Sequence, residues 1–182
     1  MDSADLQIAL IRRLFSEAER QGIPLWLESG WAIGARLGRV TRAHEDIDVA
    51  YPKEQEAEYL ELLRELGFGR YQAESYGFLC RRGEVLLDSE PCFRCGDAYT
   101  FPGFPEDSCP LEKEGVLSGF PIRCLSWEAM YVEFLDYERE VPTALWREKD
   151  FESLCILEAH LSEPVRQRLR GQVYSGLAAF LH

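Results

Sequence analysis

The chain has 182 residues, enough for one ordinary domain or a core with a small appendage. Hydrophobic residues make up 46% and charged residues 29%, which excludes a disordered segment, and a formal net charge of -12 disfavours a nucleic-acid partner. No stretch approaches the roughly 18 apolar residues of a membrane span, and the acidic start Met1-Asp2-Ser3-Ala4-Asp5 lacks the basic and apolar regions of a signal peptide, so a cytoplasmic protein with no membrane partner is expected.

In chain order, Ser3 stands where it can cap a helix carrying Leu6, Leu10, Leu14 and Ala18 on one face, which Gly22 and Pro24 end. Residues 25–27 read as a short strand, Ser29-Gly30 as a tight turn, and 31–37 as a helix opening from it. Residues 47–51 form the next strand, stopped by Pro52, and 53–66 an amphipathic helix with Tyr59, Leu62, Leu63 and Leu66 inward. Strands over 76–80 and 85–90 are joined by a hairpin turn at Arg82-Gly83. Residues 92–119, rich in proline and glycine, read as a long loop, and 122–124 as a last strand. Helices are then predicted over 126–139, 147–161 and 164–180, the last with Pro164 in its first turn. This order predicts an α+β fold: a core of residues 1–125 built on a small mixed β-sheet, followed by a C-terminal helical segment, 126–182.

The most informative segment is Glu45-Asp46-Ile47-Asp48-Val49. On a strand, Asp46 and Asp48 project from one face while Ile47 and Val49 enter the core from the other. Such alternation also describes two solvated aspartates on a half-exposed strand. If the pair is held close, however, a hard cation such as Mg²⁺ removes its repulsion, and Mg²⁺ is commonly bound by one or two carboxylates plus substrate phosphates. Upstream, the strand–turn–helix Leu27-Glu28-Ser29-Gly30-Trp31 offers backbone N–H groups to a triphosphate; downstream, Leu86-Leu87-Asp88-Ser89-Glu90 puts two more carboxylates on one strand face. Cys92-Phe93-Arg94-Cys95 has CxxC spacing without a second pair, so incidental reduced thiols are expected. His44, His160 and His182 stand in no nucleophile motif, and neither a P-loop nor a GxSxG string is present.

Taken together, the Ser29-Gly30 turn, the Asp46-Ile47-Asp48 strand and the later Asp88 resemble the signature of DNA-polymerase-β-like nucleotidyltransferases. The longer string Gly30-Trp31-Ala32-Ile33-Gly34-Ala35-Arg36-Leu37-Gly38-Arg39-Val40-Thr41-Arg42-Ala43-His44-Glu45-Asp46-Ile47-Asp48 closely resembles the aminoglycoside 2″-O-nucleotidyltransferases and, more distantly, the lincosamide nucleotidyltransferases. Tyr76-Gly77-Phe78-Leu79, Ser108-Cys109-Pro110, Ser126-Trp127-Glu128-Ala129 and Glu140-Val141-Pro142 extend the likeness over almost the whole chain. The family pattern has glycine where Ser29 stands and aspartate where Gly34 stands.

The resemblance implies transfer of a nucleoside monophosphate from ATP or another nucleoside triphosphate to a hydroxyl of an aminoglycoside, conferring resistance, with one or two Mg²⁺ ions. It implies Asp46 and Asp48 as metal ligands, Asp88 as general base and third acidic ligand, and Ser29 and Gly30 in the phosphate-binding turn. Lys149 falls near the triphosphate, and Tyr76, Glu90, Glu133 and Tyr137 line the pocket of a cationic acceptor. The alternatives are a lincosamide or another small hydroxylated metabolite as acceptor, or a non-catalytic relative of the antitoxin type. A monomer is compatible with all of these.

Overall fold

The computed structural model describes residues 3–175. It has α1 (Ser3–Arg20), β1 (Trp26–Leu27), α2 (Ser29–Arg36), β2 (Asp46–Pro52), α3 (Glu56–Glu65), β3 (Gly69–Ala73), β4 (Phe78–Arg82), β5 (Val85–Cys95), β6 (Ala98–Thr100), β7 (Gly115–Leu117), β8 (Phe120–Ile122), α4 (Trp127–Glu140), α5 (Glu148–His160) and α6 (Glu163–Ser175). The main sheet runs β1-β2-β5-β4-β3, with β6 paired to the far end of β5. β2 and β5 are parallel and the other pairs antiparallel, so the sheet is mixed, as expected of an α+β fold.

One face of the sheet is apolar. Ile47, Val49 and Tyr51 of β2 and Leu87 of β5 are buried there; Tyr59 from α3 stacks on Tyr51 at 4.8 Å and shares a 3.1 Å hydrogen bond with Ser89. α1 joins this layer through Leu10, Ile11, Leu14 and Ala18, whereas Leu6 is 41% exposed and falls off the inward stripe. Ser126 caps α4, its hydroxyl accepting from the Ala129 N–H at 3.2 Å, so that helix starts where the sequence signals it.

Several expected boundaries move. The segment 92–119 is no single loop: β5 runs on to Cys95, pairs with β6, and β7 lies within the same stretch. β3 is a further strand, and the hairpin strand expected over 76–80 occupies 78–82. The strand expected over 122–124 divides: β8 ends at Ile122 against β7, and the chain beyond it runs beside β1, with the Leu125 N–H donating to the Leu27 carbonyl at 3.0 Å. The last helix is described to Ser175, so the part of it expected over 176–180 lies outside the described residues, as does His182. Among the described residues, no helix is long and apolar enough to cross a membrane.

Candidate active site

The parallel pairing of β2 with β5 sets the register of the site. Asp48 stands directly opposite Asp88, Asp46 opposite Leu86, and Ala50 opposite Glu90. Period-2 alternation then puts Asp46, Asp48, Asp88 and Glu90 on the face opposite the apolar layer. Burial, followed by the charges of Asp46 and Asp88, pushes the Asp48 carboxyl well above its usual range. Asp88 is raised mainly by burial; the Tyr76 hydroxyl donates to its Oδ2 at 2.8 Å and pulls the other way, while its Oδ1 is enclosed without a partner.

Two clefts flank the Asp48–Asp88 pair: Asp48 lines the first, and Tyr76, hydrogen-bonded to Asp88, lines the second. The first, about 270 Å³, lies between the sheet and the C-terminal helices, with Ser29, Gly30, Asp46 and Asp48 on one wall and Glu133, Tyr137 and Lys149 on the other. The second, about 830 Å³, is bordered by Tyr76 and Glu90, with Tyr51, Tyr71, Phe78 and Phe93 as aromatic walls. The four residues expected to line the acceptor pocket are therefore divided: Tyr76 and Glu90 border the second cleft, Glu133 and Tyr137 the first. Burial and the charge of Asp88 raise the Glu90 carboxyl to about 7.

The first cleft carries the cations Arg42, Arg147 and Lys149, and the second carries Lys53 and Arg64 beside Glu56, Glu74 and Glu90. Lys149 reaches Glu45 at 2.8 Å, and Arg147 reaches the same carboxylate at 3.4 Å. Arg42 and His44 lie on the rim of the first cleft. Burial and the neighbouring Arg42 and Lys149 lower His44 to about 4, so it is a neutral ring, stacked on Trp31 at 4.2 Å. Both pack tightly over Gly30: a Cβ there would come within 2.5 Å of Arg42 Nη2 and 2.6 Å of the His44 ring, so this close approach requires glycine. Arg42, Arg147 and His44 were not singled out from the sequence, where only their positive or titratable character was available; the chain brings them to the cleft from distant segments.

The turn itself differs from the expected cradle. Ser29 has φ 49°, the left-handed region that favours the glycine of the family pattern. Its backbone N–H faces the Glu133 carboxylate of α4 and favours the ionised form of that group. Gly34 is buried with the Arg39 carbonyl 3.0 Å from where a Cβ would stand, so an aspartate at this position requires the turn after α2 to move.

Among the described residues no three His, Cys, Asp or Glu side chains form a ready-made metal cage. That suits Mg²⁺, which keeps waters and takes substrate phosphates rather than a full protein shell. The donors offered are hard carboxylate oxygens, the Asp88 Oδ1 lacks a partner, and Asp48 is raised by its neighbours' charge; the set fits a divalent cation. The described cysteines are free thiols, with Cys92 buried and Cys95 half-exposed.

The Tyr76 bond gives a prediction with a definite sign. The bond stabilises the ionised form of Asp88, so Tyr76→Phe raises the Asp88 pKa further. If Asp88 must be ionised to react, the acid limb of the kcat/KM profile moves to higher pH in the variant. A pH–rate series on both proteins reads this directly; an unmoved limb would separate Tyr76 from the titrating group.

A family model described as aminoglycoside-2″-adenylyltransferase matches residues 10–151. A 2″-aminoglycoside nucleotidyltransferase of Escherichia coli is 42% identical over 174 residues, covering 95% of this chain and 98% of that protein, and one of Klebsiella pneumoniae matches equally well. The crystal structure of ANT(2″)-Ia in complex with adenylyl-2″-tobramycin superposes with a TM-score of 0.90 at 40% identity, over 94% of this chain and 99% of that one. A lincosamide adenylyltransferase structure, LnuA, has a TM-score of 0.65 at 17% identity, over 84% of this chain and 97% of that one, a likeness of fold.

Proposed function

From the premise that the chain belongs to the aminoglycoside-2″-adenylyltransferase family, we propose that the Asp48–Asp88 pair marks the point of nucleotidyl transfer, with the nucleotide on the Lys149 side and the acceptor reaching it from the Tyr76 side. The enzyme is a nucleotidyltransferase that moves a nucleoside monophosphate onto an aminoglycoside, the reaction of a resistance factor. The family uses a nucleoside triphosphate as co-substrate and typically a divalent metal. The observation that carries the assignment of sides is the cleft arrangement: Arg42, Arg147 and Lys149 share the first cleft with Asp46 and Asp48, while Tyr76, hydrogen-bonded to Asp88, stands with Glu90 and aromatic rings in the second.

Asp46 and Asp48 would hold Mg²⁺, with Asp88 able to share a second ion. Bound there, the metal supplies neutralisation of the triphosphate and its pyrophosphate leaving group. Lys149, Arg147 and Arg42 hold the phosphates electrostatically, and Lys149 exchanges its Glu45 partner for them. Glu133 releases the Ser29 N–H when the phosphates approach the turn. Asp88 accepts the proton of the attacking hydroxyl, and Tyr76 keeps Asp88 oriented through their 2.8 Å bond. Tyr76 and Glu90 orient the acceptor in the second cleft, and Glu133 and Tyr137 reach it from the wall of the first, the carboxylates pairing with its ammonium groups. Of the helical segment that starts at residue 126, α4 and α5 complete the first cleft over the 1–125 core.

A panel of 4,6-disubstituted aminoglycosides (kanamycin, tobramycin, gentamicin) and a lincosamide, with ATP, GTP and Mg²⁺, tests the reading by pyrophosphate release and product mass. One added nucleoside monophosphate on an aminoglycoside is expected. Release with the lincosamide alone overturns the acceptor assignment. Acceptor affinity is also expected to fall as salt rises, because carboxylates supply the attraction. Titration at low and high ionic strength reads this, and an affinity indifferent to salt points to an uncharged acceptor.

A further inference from the structure

Glu28 has no part in this scheme, yet the same sheet that sets the aspartates sets its position. Its extended backbone, φ -120° and ψ 173°, carries the pleat one residue beyond β1. Its N–H donates to the Asp48 carbonyl at 3.0 Å, continuing the antiparallel pairing in which Leu27 faces Val49. Residues opposite one another on adjacent strands share a face, so Glu28, Asp48 and Asp88 form one row across the site.

Glu28 is 5% exposed, and its Oε1 is enclosed by protein with no hydrogen-bond partner. The ionisable groups acting on it are Glu133, Glu90, Asp48 and Cys92, none of which brings positive charge. Burial and then these neighbours hold its carboxyl well above the usual range. A buried acceptor oxygen without a donor is costly, and the cost grows if the group ionises. Two of its neighbours look outward: Glu133 lines the first cleft and Glu90 the second. Glu28 itself lines neither cleft, so a cation reaches it only when Glu133 or Glu90 gives way.

We propose that Glu28, with Glu133 and Glu90, forms an ammonium subsite at the floor of the acceptor site, making Glu28 a specificity-determining residue for acceptors that carry a protonated amine close to the reacting hydroxyl. The proposal rests on the aminoglycoside reading above. An ammonium group brings three donors, one for the unpartnered Oε1 and others for the carboxylates around it, and turns their mutual repulsion into attraction. The proximity to the reacting hydroxyl follows from the row: Glu28 neighbours Asp48, and Asp48 neighbours Asp88.

The test compares wild type, Glu28→Gln and Glu28→Ala on a series of aminoglycosides in which each amine is replaced singly by hydroxyl. For one such analogue, wild type should lose roughly tenfold to hundredfold in kcat/KM, the span expected for one charge-assisted hydrogen bond. Both variants should lose a similar factor on the parent acceptor, mainly through KM, and should no longer distinguish it from that analogue. Discrimination at the other amines and affinity for the Mg²⁺–nucleotide should stay within about twofold of wild type. Glu28→Gln keeps the shape and removes the buried charge, so its melting temperature should not fall; Glu28→Ala supplies the same comparison if the amide disturbs packing. Equal losses on every acceptor, or discrimination left intact, would overturn the subsite, as would a defect confined to Mg²⁺–nucleotide binding. A wild type that turns over none of the acceptors sinks the aminoglycoside reading itself, a separate and recognisable result.

Discussion

Asp48→Asn is expected to abolish measurable turnover, a loss on the order of 10³-fold or more, because the charge stabilisation a metal supplies to phosphoryl transfer amounts to several kcal/mol. The amide is a poor hard ligand and cannot neutralise the cation that Asp46 and Asp48 would share. Affinity for the Mg²⁺–nucleotide should fall in parallel. The same substitution should stabilise the ligand-free protein. Asp48 is held above its usual pKa by burial and by Asp46 and Asp88, so its ionised form is unfavourable in the folded chain at neutral pH, and the neutral isostere removes that cost. Thermal melting beside isothermal titration with a non-hydrolysable ATP analogue separates the two effects. A variant that melts lower than wild type and still binds the metal–nucleotide would contradict the proposed role.

Asp88→Asn should leave nucleotide binding largely intact while lowering turnover by roughly 10²–10⁴, the usual span for a lost general base. The difference from Asp48 follows from position. Asp48 lines the first cleft with Asp46, whereas Asp88 is tied to Tyr76, which borders the second. A larger loss, with weakened metal binding, would assign Asp88 to the second ion as well. Steady-state rates with the same titration distinguish these outcomes, and wild-type turnover in Asp88→Asn would remove Asp88 from the mechanism.

Much of this geometry was legible from local pattern. The alternation in Asp46-Ile47-Asp48-Val49 predicts which side chains enter the core, and Ile47 and Val49 are buried as that pattern requires. What local pattern does not carry is pairing. Nothing near Asp48 in the chain specifies that β2 lies parallel to β5 in the register that sets Asp48 against Asp88. β3 escaped notice because four of its five residues are exposed and it lacks an apolar alternation. The stretch 92–119 reads as loop from its prolines and glycines, yet β5 continues past Cys92, which pairs with β2, to Cys95 because β6 pairs with Phe93, Arg94 and Cys95. Gly77 has a similar origin: a Cβ there would collide with the backbone carbonyl of Ser89, a contact made only once the neighbouring strand is in place. The Ser29 N–H faces Glu133 for the same reason, since a turn motif says nothing about which helix will cover it.

The crowding of carboxylates on one sheet face makes the site a store of protons. Glu28, Asp48 and Glu133 are all held well above their usual range, chiefly by burial and then by neighbouring carboxylates, and Glu90 is raised to about 7. With Glu90 raised to about 7, the ligand-free protein at neutral pH is expected to carry protons that a cationic ligand expels, because the ligand is attracted to the ionised forms. The sign is fixed by the direction of the shifts: raised groups hold their protons below the folded pKa, so acceptor and metal–nucleotide should bind more tightly as pH rises through 7. In a calorimeter, the heat of binding should change with the ionisation enthalpy of the buffer, since each proton released is taken up by it. A heat independent of the buffer would mean that the row of acids is already ionised. Ligand binding in this protein is thus expected to be an acid–base exchange with the solvent as well as an association.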